Sequence, residues 1–92
     1  MEESNNYNVD VVIEKGIRVY RIVQGSEEIE KFYAVRTSRV WVLMRKETGK
    51  DPMPIRTIGF SMDTNPVFPD VQLREEADKR VKELEKLLNP RT

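Results

Sequence analysis

Apolar and polar positions alternate through most of the first sixty residues, and the spacing lengthens to three and four over the last twenty. The change of period predicts strands followed by a helix. Val9–Ile13 is a β-branched run that stops at Glu14-Lys15-Gly16, where the glycine closes a tight turn or sits in a bulge. Ile17–Val23 is the next strand, and Gln24-Gly25-Ser26 is a turn signal. Ile29–Arg36 follows, with a break at Thr37-Ser38. Val40–Arg45 is the most apolar strand. Glu47–Pro54 is a loop holding two prolines and a glycine, and Ile55–Met62 is a further strand. Asp63–Asp70 cannot be regular, because Pro66 and Pro69 each remove a donor and restrict the residue before them. Within it Val67 or Phe68 plugs the edge of the core.

The final segment is the clearest. Leu73, Ala77, Val81, Leu84, Leu87 and Leu88 fall on one stripe of a helix. Asp70 suits the N-cap, where a carboxylate accepts from exposed amides. Glu75–Lys79, Glu76–Arg80 and Asp78–Lys82 are i,i+4 pairs with the acid first. Lys86 matches the negative end of the dipole, and Asn89-Pro90 stops the helix. The expected class is α+β: an antiparallel β-meander of four strands, or five if Val9–Ile13 joins it, and one C-terminal amphipathic helix on one face. Residues 1–8 read as a flexible acidic tail, and 9–90 as a single domain.

One helix covers one face of such a sheet, not both. Each strand must therefore be sorted into two faces. One set is Ile17, Val19, Val23, Phe32, Ala34, Val40, Val42, Met44 and Ile55, mostly aliphatic and suited to the helix. The other is Arg18, Tyr20, Ile22, Lys31, Tyr33, Val35, Arg39, Trp41, Leu43, Arg45, Arg56, Ile58, Phe60 and Met62, which mixes rings with cations. A slip of one residue inverts a strand, so the sorting rests on the turns. Tyr20 meets Tyr33 if the loop Gly25–Glu28 is even. Val35 meets Trp41 if the next loop is odd, as with Thr37-Ser38-Arg39. A two-residue Thr37-Ser38 turn would instead put Trp41 with Phe32 and Ala34. The absence of glycine there favours the odd loop.

Composition narrows the chemistry. The 92 residues contain no cysteine and no histidine. Thiol catalysis, Cys/His zinc sites and imidazole acid–base work are excluded. Apolar runs fall short of a membrane span, and the N-terminus is acidic rather than signal-like, so a soluble cytoplasmic protein is expected. The 35% charged content fits a heat-adapted source. The formal charge is zero, yet residues 15–60 hold ten bases against five acids, a net +5. Such a middle can meet an anion, although cations also solvate strand edges.

Unpaired bases expose π faces joined by phosphates. Rings at regular intervals on a sheet can stack on them, and flanking cations can neutralise the backbone. Tyr20, Tyr33, Trp41 and Phe60 would stack, with Arg18, Lys31, Arg39, Arg45 and Arg56 on phosphates. The bland alternative is that the same rings are core or cross-strand packing. Binding of single-stranded DNA or RNA, largely independent of sequence, is the first expectation. A homo-oligomeric or protein-interaction domain using the same sheet face is the second. No catalytic site, cofactor, metal or small-molecule substrate is expected. Glu47-Thr48-Gly49-Lys50 lacks the rest of a phosphate loop, since Met44 and Asp51 stand where glycine and Ser/Thr are needed. Glu27, Glu28 and Glu30 point to different faces. Pro66–Pro69 matches the minimal P-x-x-P spacing but serves to bridge strand and helix.

The segments IRVYRIVQG, RVWVLMRKETG and IRTIGFSM, in that order and closed by the helix, resemble the small archaeal ThermoDBP-related proteins. More loosely, the pattern is similar to the single-strand-binding domain of eukaryotic transcriptional coactivators. The resemblance spans about Ile17–Leu88. It implies single-stranded nucleic-acid binding without sequence specificity, in a homodimer or higher oligomer. The zipper-like extension of the larger ThermoDBP proteins is not in this sequence.

Overall fold

The computed structural model describes residues 6–59 and 68–88. Five strands run in chain order, β1 (Tyr7–Glu14), β2 (Ile17–Gln24), β3 (Glu27–Arg36), β4 (Val40–Glu47) and β5 (Met53–Gly59), followed by α1 (Asp70–Leu88). They form one antiparallel sheet in the order β1-β2-β3-β4-β5, with α1 packed across β1, β2 and β3. The meander and its single helix match the expectation, and Val9–Ile13 is the centre of a true fifth strand. β1 begins at Tyr7, inside the segment read as a tail. Phe60, Met62 and Asn89-Pro90 lie outside the described residues, as does most of Asp63–Asp70.

The turns decide which side chains share a face. Lys15 and Gly16 both have positive φ, 52° and 77°, and Glu14 pairs with Ile17. This is the primed two-residue hairpin turn, whose twist matches that of the strands. Between β2 and β3 the turn is Gly25-Ser26, and a register shift between Ile22 and Val23 inserts one residue. Tyr20 therefore faces Phe32, not Tyr33. Between β3 and β4 the loop is even: Thr37 and Val40 close around Ser38-Arg39, and Arg36 faces Trp41. Glycine is not needed because the Thr37 hydroxyl does the bonding. It donates to the Val40 carbonyl at 2.9 Å and accepts from the amides of Val40 at 3.1 Å and Arg39 at 3.4 Å.

Those registers overturn the two face sets. Of the set assigned to the helix, only Phe32 and Ala34 of β3 and Ile55 of β5 keep their expected side. The helix side holds Tyr20, Ile22, Phe32, Ala34 and Leu43, which with Leu73, Ala77 and Leu84 make the buried core. Trp41, Ile58, Phe68 and Val81 pack against it. Val19, Tyr33, Val42 and Met44 alternate to the other side. Phe68 does plug the core edge. Leu87 departs from the helical stripe and is 74% exposed.

Ion pairs fasten the helix down. Glu30 is 2% exposed and divides its carboxylate between two arginines: Arg45 Nε donates to Oε1 at 3.0 Å and Arg80 Nε to Oε2 at 2.8 Å. Glu47 and Glu83 accept from the outer nitrogens of Arg45 and Arg80. Arg56 reaches Glu76 at 3.6 Å. Glu76 and Arg80 thus turn to the sheet instead of pairing with each other along the helix. Pro54 sits on the edge strand beside a second register shift, where its missing donor breaks no inner ladder.

Candidate nucleic-acid interface

The nine residues expected to bind nucleic acid do not share one surface. Tyr20 is 2% exposed beneath the helix, and its hydroxyl donates to the Asp70 carboxylate. Arg45 is taken up with Glu30 and Glu47, and Arg56 with Glu76. Tyr33 and Lys31 lie on the helix-free side, where Lys31 Nζ meets Glu14 at 3.1 Å. Arg39 is exposed in the β3–β4 turn. Phe60 lies outside the described residues. The continuous platform of rings and cations is therefore not what this register builds. One pair of expected residues, Arg18 and Trp41, does meet on the helix side.

They line a groove of about 450 Å³ where the sheet runs past the start of α1. Trp41 and Phe68 stand edge to face in its wall, centroids 5.4 Å apart and planes at 78°. Arg18 lies over the Phe68 ring at 6.0 Å, and Arg36 faces Trp41 across the ladder. Ile13, Ile17 and Val35 complete the apolar lining; Ile13 is 65% exposed. The buried indole nitrogen of Trp41 has no hydrogen-bond partner among the described residues. Arg36 and Phe68 were missed as site residues. Arg36 would have been found from the even β3–β4 turn, which alone brings it opposite Trp41.

Arg18 is held by its neighbours. Its Nη1 meets Asp70 at 3.0 Å, and Asp70 also accepts from Tyr20. The Tyr20 hydroxyl and then Arg18 hold the Asp70 carboxyl below the usual carboxylate range, against its partial burial. Burial, and next the bond to Asp70, raise the Tyr20 phenol above its ordinary value. Asp70 thus does different work from the cap expected of it. The first helical carbonyl is that of Pro69, which accepts from Leu73 at 3.0 Å. Arg74 lies 5.3 Å over the Tyr20 ring. The start of the helix is pinned to β2, and this fixes one wall of the groove.

Meander topology also sorts charge by end. The β1–β2 and β3–β4 turns fall together and carry Lys15, Arg36 and Arg39 against Glu14, with Arg18, paired to Asp70, beside them. The β2–β3 and β4–β5 connections fall at the other end and carry Glu27, Glu28, Glu47 and Asp51 with Lys50. The groove opens at the basic end. Glu27, Glu28 and Glu30 diverge, the second to Arg21 and the third to Arg45 and Arg80. Among the described residues there is no metal-binding group of three carboxylates, and no helix is long and apolar enough to cross a membrane. Compared with known proteins, the chain matches no family model, no curated protein and no solved structure.

Proposed function

We propose that this chain is a binding module for single-stranded DNA or RNA, and that the strand enters the Trp41 groove rather than lying across the sheet. The observation that carries the reading is the groove itself: two rings set between Arg18 and Arg36 at the basic end of the molecule. An unpaired base supplies a flat apolar face for Trp41 and Phe68, worth about 1–3 kcal/mol for each base stacked. Its phosphates fall to Arg36, Arg39 and the half-exposed Arg18. A duplex hides its base faces and gains nothing from the rings. Stacking tolerates any base, so the binding is largely independent of sequence.

Titration with oligo-dT at low salt tests it, read by Trp41 emission and gel mobility. Quenching and a shifted band are expected, both weakening steeply as salt rises from about 50 to about 200 mM. Arg36→Ala should weaken binding and lower the salt slope by about one. Tyr33→Ala, on the far side, should leave both unchanged. An unchanged Trp41 signal with no shifted band removes the proposal. Loss on Tyr33→Ala alone would restore the sheet face as the site.

A further inference from the structure

We infer that the helix-free sheet face is the interface for a second copy of this chain, packed sheet on sheet about a two-fold axis parallel to the strands. This goes beyond the groove reading and uses the opposite side of the sheet. Val12 faces Val19, Tyr33 faces Met44 and Val35 faces Val42, so an apolar band crosses β1 to β4. Val35 is 42% exposed and Ile17 39%. A hollow of about 370 Å³ is floored by Val19 and walled by Ile17, Lys31, Tyr33 and Lys46. No element among the described residues covers this side.

Charge selects the occupant and its orientation. One row of the ladder reads Asp10, Arg21, Lys31, Lys46 from β1 to β4. The face is acidic along β1, where Glu14 joins Asp10, and basic along β4. Inside each copy Arg21 is neutralised by Asp10 and Glu28, and Lys31 by Glu14. Lys46 ends the row as a cation. A two-fold axis along the strands, between β2 and β3, keeps each row over itself and exchanges the strands. It lays β1 of one copy over β4 of the other. Asp10 then faces the second copy's Lys46, Val12 its Met44 and Glu14 its Val42, while Arg21 and Lys31, each neutralised within its own copy, lie opposite one another. An acidic partner would repel the β1 margin, and a basic one the β4 margin; a second copy satisfies both.

Extent sets the strength. The four strands that overlap about this axis, eight to ten residues long, span about 19 Å by about 26 Å. That flat footprint of about 500 Å² falls below the roughly 800 Å² per partner of a standard complex and fits a dimer of moderate affinity. Sheets packed face to face stay within about 30° of alignment, as this axis allows.

The test is sedimentation equilibrium on the full chain. A dimer is expected at tens of micromolar. Met44→Asp should give a monomer with an unchanged far-UV spectrum. Lys46→Glu, a surface change that leaves the core intact, should weaken the dimer about tenfold. Mixing Lys46→Glu with Asp10→Lys should recover a heterodimer. A monomer at hundreds of micromolar overturns the inference, as does a dimer indifferent to both Met44→Asp and Lys46→Glu. The Met44→Asp monomer should still quench on oligo-dT, which separates this outcome from that of the groove.

Discussion

Glu30 and Asp70 are two of the acids that hold the helix to the sheet, and they do so differently. Glu30 is enclosed and serves two arginines, Arg45 and Arg80, whose side chains are each 23% exposed. Removing one member of such a group strands buried charge, which costs about 3–5 kcal/mol. Glu30→Ala should therefore lower unfolding stability in urea by about 3 kcal/mol, and a loss under about 1 kcal/mol would show that water already screens the cluster. Asp70 is 42% exposed at its side chain, so its effect is read through pH. Its folded carboxyl titrates below its unfolded one, so its contribution is present above the ordinary carboxylate range, near about 4. The contribution is lost as pH falls from there through the depressed folded value. Asp70→Asn should flatten that part of the acid unfolding curve. Equal steepness in the variant would mean other carboxylates govern it. Neither role shows in sequence, because both acids have nearer partners along the chain: Asp70 its own helix amides, Glu30 the neighbouring Lys31.

At the level of elements, period and turn residues gave four strands and the helix and left Val9–Ile13 open as the fifth strand that the structure has. Alternation is local and survives any register. The faces were not legible, because each depends on whether a loop is odd or even. The shift between Ile22 and Val23 changes the count by one without any glycine or proline in the strand to announce it. At β3–β4 the absence of glycine pointed to a longer loop, while Thr37 supplied the bonds that a tight turn needs. This one hydroxyl sets the side of Trp41. Thr37→Val should cost about 1 kcal/mol, the worth of its lost bonds, with the largest loss of amide exchange protection at Val40. Uniform loss over the whole sheet would place the effect elsewhere than in the turn.

For the whole molecule, the registers divide what the sequence had joined. Rings and cations were expected on one bare face; instead Tyr20 is spent on the core, Tyr33 faces away, and Trp41 is left with Phe68 at one end. The candidate site was legible as residue types, not as a place. Arg18, Arg39 and Trp41 belong to the basic end, whereas Arg45 and Arg56 are structural. The proposed binding and self-association, rivals for one face in the sequence, would use opposite sides of the sheet and meet at Ile17 and Val35, which border both. Because the chain has a single tryptophan, its indole N–H gives one cross-peak in a proton–nitrogen spectrum. Following that peak and the backbone amides while adding oligo-dT at low salt tests the groove most directly. The account predicts that Trp41, Arg36 and Phe68 shift together while Tyr33 and Met44 stay still. Shifts centred on Lys31 and Tyr33, or no shifts at all, would contradict it.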